Sequence, residues 1–145
     1  MEKLLELRAG LEQQHYADAL VLLREMEEIS KDDKINQVRR FIILLLMHLI
    51  KQHSASKTTR SWNLSIYNSV KEIQWINKRY KSGGYYLTVK ELQVIITETY
   101  PVAFKNAVPK AFEGIYEDEQ LGQLVDRFQI EQQALKLILL QPPII

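Results

Sequence analysis

The sequence predicts an all-α fold, a multi-helix bundle of five to seven helices around a buried central helix. Three observations carry this. Apolar residues recur at helical spacing along most of the chain, with no alternating stretch of the kind a half-buried strand needs. Residues Phe41–Ile50 form an apolar run interrupted only by His48, far short of the roughly twenty residues that span a membrane. Only five glycines and four prolines are present, and several sit where a helix should start or stop.

Leu4, Leu7 and Leu11 place one apolar stripe on a first helix of about three turns. Gln13-Gln14-His15 reads as a loose joint. A second helix follows with Tyr16, Leu20, Leu23, Met26 and Ile29 on related faces and charges from Arg24 to Glu28. Asp32-Asp33 is expected to cap a third, central helix, since carboxylates suit the positive end of the helix dipole. From Lys34 to about His53 the stripe Ile35, Val38, Phe41/Ile42, Leu45, Leu49 is joined by Ile43, Met47 and Ile50 on the opposite side. A helix apolar all round belongs in the middle of a domain.

Ser54–Thr59 is small and polar, a connection. Trp62, Ile66, Val70, Ile73, Ile76/Asn77 and Tyr80 then form a stripe on a helix expected to run to Ser82-Gly83-Gly84. Thr88-Val89-Lys90-Glu91 matches a capping box. The helix it opens carries Leu92, Ile95, Ile96 and Tyr100, and Pro101 is expected to kink or restart it. Beyond Pro109 the pattern weakens to one or two short helices around Gly114 and Gly122, with Phe112, Ile115, Leu121, Leu124, Val125 and Phe128. Residues 129–145 close the chain with a helix that turns Ala134, Leu137 and Ile138 inward, then an apolar tail.

At 145 residues the chain has the length of one domain, 1–145, able to bury a core without cross-links. Cysteine is absent, which excludes disulfides and thiolate chemistry and suits a cytoplasmic setting. The N-terminus alternates charge with leucine and lacks the apolar core of a signal peptide. The net charge of +1 conceals a division. Residues 1–30 hold three Lys and Arg against seven Asp and Glu, residues 31–81 eleven against three, and residues 82–145 five against eight. Either the basic middle pairs internally with the acidic ends, the simpler reading, or it faces phosphates.

Glu27-Glu28-Ile29, Leu44–Lys51 with its His48-Leu49-Ile50-Lys51 ending, Arg60-Ser61-Trp62 with Ser65-Ile66, and Tyr100-Pro101-Val102-Ala103 occur in that order. This order and spacing resembles the bacterial family catalogued as domain of unknown function 29, found in cyanobacteria and proteobacteria, over about residues 10–110. The His-Leu-x-Lys and Ser-Trp elements are its specific part. Val70 stands where the family often has arginine, Gly83–Leu87 replaces a Pro-Ser-Leu turn, and the family's C-terminal Phe-Pro and Cys-Pro elements are not recognisable. The resemblance implies a helical fold and a bacterial source, and no activity.

Two groups of residues are candidates for a role. The first is a network of Glu27, Glu28, His48, Lys51, Arg60 and Trp62. In it Trp62 packs on the central helix, Arg60 or Lys51 pairs with a glutamate, and His48 is a buried, hydrogen-bonded histidine or, less favoured, a general base. The second is a partner surface of Leu64, Tyr67, Lys71, Trp75, Lys78 and Arg79, where aromatics interleave with cations. Either it recruits an acidic partner or nucleic acid, or another helix, such as the C-terminal one, covers it. The covered arrangement is favoured.

No cofactor or metal is implied. His48 and His53 lie about 140° apart round a helix and cannot share an ion, and Glu25 and Glu28 lack further ligands. Phosphate loops and nucleophile motifs are missing. The expected function is therefore a non-enzymatic helical module for a protein partner or self-association. Nucleic-acid association is the first alternative. An enzyme using His48 with Glu28 and Arg60 is the second.

Overall fold

In the computed structural model, which describes residues 2–79, 83–112 and 125–140, five helices form: α1 (Glu2–Glu12), α2 (Tyr16–Ala55), α3 (Arg60–Asn77), α4 (Val89–Phe112) and α5 (Arg127–Leu139). The chain is all-α, with one isolated antiparallel bridge, Lys78 to Tyr85, among the described residues. The short helices expected around Gly114 and Gly122, Tyr80 at the end of the α3 stripe, and the tail after Leu140 lie outside the described residues.

The central helix is longer than the sequence suggests. The two segments read as separate helices are one helix of 40 residues, about 60 Å at 1.5 Å per residue. Asp32 and Asp33 do not cap it but sit exposed in its middle, where the Asp33 carboxylate accepts from Gln37 Nε2 at 3.0 Å. Between Ile29 and Lys34 there is neither glycine nor proline, so residues that can cap a helix have no break to cap.

α2 is the hub, packing on each of the other four helices. α3 and α4 each lie against it without closely approaching one another, and α5 bridges them. The core is Val38, Ile42, Leu45, Leu46, Met47, Leu49 and Ile50 of α2, with Ile73 and Ile76 of α3, Leu92, Ile95, Ile96 and Tyr100 of α4, and Ile130, Ala134 and Ile138 of α5. Within residues 41–50 of α2 Leu44 is exposed, Phe41, Ile43 and His48 are half-buried and the rest are buried, which fits a helix wrapped by others.

Local signals place the ends. The Thr59 hydroxyl accepts from Trp62 N at 3.0 Å and starts α3. The box at Thr88 and Glu91 closes reciprocally, both bonds 3.1 Å. α3 stops at Asn77, short of the glycine pair. Residues 83–87 fold back on the end of α3: Asn77 Oδ1 accepts from Leu87 N at 2.8 Å, Asn77 O from Tyr86 N at 2.8 Å, and Gly84 O from Arg79 N at 3.0 Å. Gly83 and Gly84 both have positive φ, +74° and +75°, which the turn requires and side chains resist.

Pro101 neither ends nor restarts α4, which continues to Phe112. Its missing N–H orphans the Thr97 carbonyl, and Arg127 Nη2 donates to that oxygen at 3.0 Å.

The N-terminal third is built differently. Among the described helices α1 touches α2 alone, and Ala19 is the only buried residue of α2 before Val38. Leu4, Leu11, Tyr16, Leu20, Leu23 and Ile29, read from periodicity as inward, are exposed.

Candidate functional site

α3 turns Ile73 and Ile76 fully inward and keeps Trp62, Ile66 and Val70 at its half-buried margin. The opposite face carries Leu64, Tyr67, Lys71, Trp75 and Lys78. Lys71 Nζ lies 5.3 Å above the Tyr67 ring, one turn away. Trp75 is 67% exposed. This corrects the expectation that another helix covers it. The C-terminal helix does dock on α3, but through the neighbouring residue: Gln74 Nε2 donates to Ile138 O at 3.1 Å and to Leu140 O at 2.6 Å. Those carbonyls belong to the last turn of α5 and to its C-cap residue Leu140, where helix oxygens lack intrahelical donors.

Trp75 stands on the rim of a cavity of about 700 Å3. Lys71, Gln74 and Lys78 form one wall, Tyr85 and Leu87 of the loop a second, Val89 and Leu92 a third, and Ile138–Leu140 a fourth. The floor is apolar, and the lysines and aromatics lie toward solvent. The walls are tied together by the Asn77–Leu87 pair and by Gln74. A cavity of this size, apolar with a few polar groups, is the usual form of a recognition site. Sequence reading identified Trp75, Lys71 and Lys78 but missed Gln74, Tyr85 and Leu87. The glycine pair followed by Tyr85-Tyr86 was the available signal for a tight loop presenting aromatics.

Arg79 points elsewhere. Its guanidinium lies 5.6 Å from the Tyr86 ring, and it shares a recess of about 480 Å3 with Arg24, Glu27, Glu28 and Lys31. Acidic and basic segments thus come together here, with Arg79 rather than Arg60 or Lys51 opposite the glutamates.

The first candidate network is split by the length of α2. Glu28 and His48 are twenty residues apart on one continuous helix, so about 30 Å separates them. Lys51 is farther still, and Arg60 follows the end of α2. Neither the pairing of Arg60 or Lys51 with Glu27 or Glu28 nor an acid–base site of His48, Glu28 and Arg60 can form in this chain. Lys51 and Trp62 do meet: Lys51, only 7% exposed, holds its Nζ 5.9 Å from the Trp62 ring. His48 is half-buried, with Nδ1 2.8 Å from Leu44 O. Alongside them Gln52 Nε2 donates to Asn63 Oδ1 at 2.9 Å. The His-Leu-x-Lys and Ser-Trp elements therefore join α2 to the start of α3.

Among the described residues no three His, Asp or Glu side chains gather to hold a metal ion, and no helix is long and apolar enough to cross a membrane.

A family model described as Domain of unknown function DUF29 matches residues 2–121. The chain belongs to that family. No curated protein and no solved structure matches it. The match takes in three walls of the cavity and stops before the fourth, Ile138–Leu140.

Proposed function

We propose that this member of the family is a non-catalytic helical interaction module, and that it takes a protein segment with an apolar anchor and flanking carboxylates at the Trp75 cavity. The observation that carries the reading is a large aromatic left two-thirds exposed on the rim of an apolar cavity, with Lys71 and Lys78 beside it. Aromatic anchors in pockets contribute most of the binding free energy in protein interfaces, and rim cations raise the association rate of acidic partners. A cytoplasmic setting accords with the cysteine-free composition.

The test is fluorescence anisotropy with labelled amphipathic peptides, acidic and charge-reversed, against wild type, Trp75→Ala and Lys71→Glu/Lys78→Glu. The acidic series should bind, and both variants should weaken it at least tenfold, about 1.4 kcal/mol, with unfolding transitions unchanged. Binding that ignores both variants overturns the reading. Single-stranded DNA is the control for the nucleic-acid alternative, which needs Lys71, Lys78 and Arg79 to act together. Tight DNA binding that falls steeply with salt would favour that alternative instead.

A further inference from the structure

The geometry points to the α1–α2 hairpin as a dimerisation arm, whose apolar face pairs with the same face of a second copy of this chain. The hairpin is held by a close approach of small residues. A Cβ placed on Gly10 would lie 3.6 Å from the Ala19 Cβ, an ordinary contact. This contact fixes which sides of the two antiparallel helices face each other.

Positions round each helix follow at roughly 100° per residue. From Gly10, Leu4 and Leu11 fall about 100–120° to one side. From Ala19, Tyr16, Leu20 and Leu23 fall about 40–100° in the same sequence sense. Because the helices run in opposite directions, these two sets lie on the same face of the hairpin. All five side chains are exposed, by 39–56%. Together they leave on the order of 400 Å2 of apolar surface on one face, the size of patch that marks an interface. Two such faces with their flanking residues reach the lower range of a specific protein–protein contact.

Charge identifies the occupant. Residues 1–30 hold seven acids against three bases, which would favour a basic partner if the acids surrounded this face. They do not. Glu2, Glu6, Asp18 and Glu25 fall on the other side of the Gly10–Ala19 contact, and Glu6, Asp18 and Glu25 line one recess there. On the apolar side fall Lys3, Arg24 and Glu27, of mixed sign, and Arg8, paired with Glu12 at 2.9 Å, lies at its margin. A nearly neutral apolar face of two helices tolerates its own copy. The pairing yields a four-helix bundle with closed two-fold symmetry.

The test is sedimentation equilibrium of the full chain with three variants, Leu11→Glu on α1, Leu20→Glu on α2 and Trp75→Glu in the cavity. Wild type at about 10 µM should be a dimer of about 34 kDa, twice the 17.0 kDa chain. Leu11→Glu and Leu20→Glu should each raise the dissociation constant at least tenfold, while circular dichroism of the dilute chains stays that of wild type. Trp75→Glu should leave the dimer intact. A wild-type monomer at that concentration, or a dimer indifferent to Leu11 and Leu20, overturns the proposal. So does a dimer lost only with Trp75→Glu, which would assign self-association to the cavity. Assembly beyond two copies overturns it as well, because a two-fold contact closes.

Discussion

Tyr100 shows how much one hydroxyl can report. It is buried in α4, its oxygen has no hydrogen-bond partner among the described residues, and the Arg127 guanidinium lies 4.7 Å from its ring. Burial pushes its pKa up to about 12, and the Arg127 charge only partly opposes this. Between pH 10 and 12 the folded chain therefore keeps a proton that the unfolded chain loses. The stabilisation is complete below pH 10 and declines as pH rises through the folded pKa, by about 2–3 kcal/mol in all. Tyr100→Phe removes an unsatisfied polar group at little cost in shape. It should be neutral or stabilising by up to about 1 kcal/mol at pH 7, and urea midpoints between pH 10 and 12 should lose this part of their decline. Glu91 titrates in the opposite sense. Its hydrogen bonds from Thr88, backbone first, hold its carboxyl below the usual range, so the capping box weakens only as acid protonates it.

At the scale of elements, one arginine ties the polar edge of the join between α4 and α5. Arg127 donates to Thr97 O and, through Nε, to Glu131 Oε2 at 2.8 Å, while Glu131 Oε1 accepts from the Thr97 hydroxyl at 2.6 Å. The ring links two helices at the point where Pro101 removes a helical hydrogen bond. Arg127→Ala should cost about 1–3 kcal/mol, the range for stranding a polar group. Pro101→Ala restores the N–H that Thr97 O lacks, so it should recover part of that loss in the Arg127→Ala background and gain less in wild type. A double-mutant cycle from denaturant midpoints reads this coupling. Additive effects would mean that the two residues do not serve the same carbonyl.

In the molecule as a whole, α2 joins two regions with different packing. Its second half is the centre of the bundle, and its first half carries α1 beyond it. Removing residues 2–14 takes away a helix with no buried residue and no contact with α3, α4 or α5. Thermal unfolding of dilute protein beginning at His15 should remain cooperative, with stability changed by about 1 kcal/mol or less. Loss of the transition would show that α1 supports the core. Leu46→Ala, at the hub, should by contrast cost about 3–5 kcal/mol in either form.

The sequence by itself determined what depends on local chemistry and on the apolar count. The all-α class, the mostly buried run from Ile42 to Ile50, the Thr88–Glu91 box and the meeting of Trp62 with the central helix all follow from periodicity, capping and the order of motifs. Tertiary structure decided the rest, because continuity and exposure depend on neighbours distant in sequence. Asp32-Asp33 reads as a cap until no break is found beside it. Pro101 reads as a kink or a restart until Arg127, twenty-six residues later, supplies the missing donor. Trp75 and the stripe of Tyr16, Leu20 and Leu23 carry the same helical spacing as core residues. Periodicity reports that a face is apolar; only the placement of the other helices decides whether anything covers it.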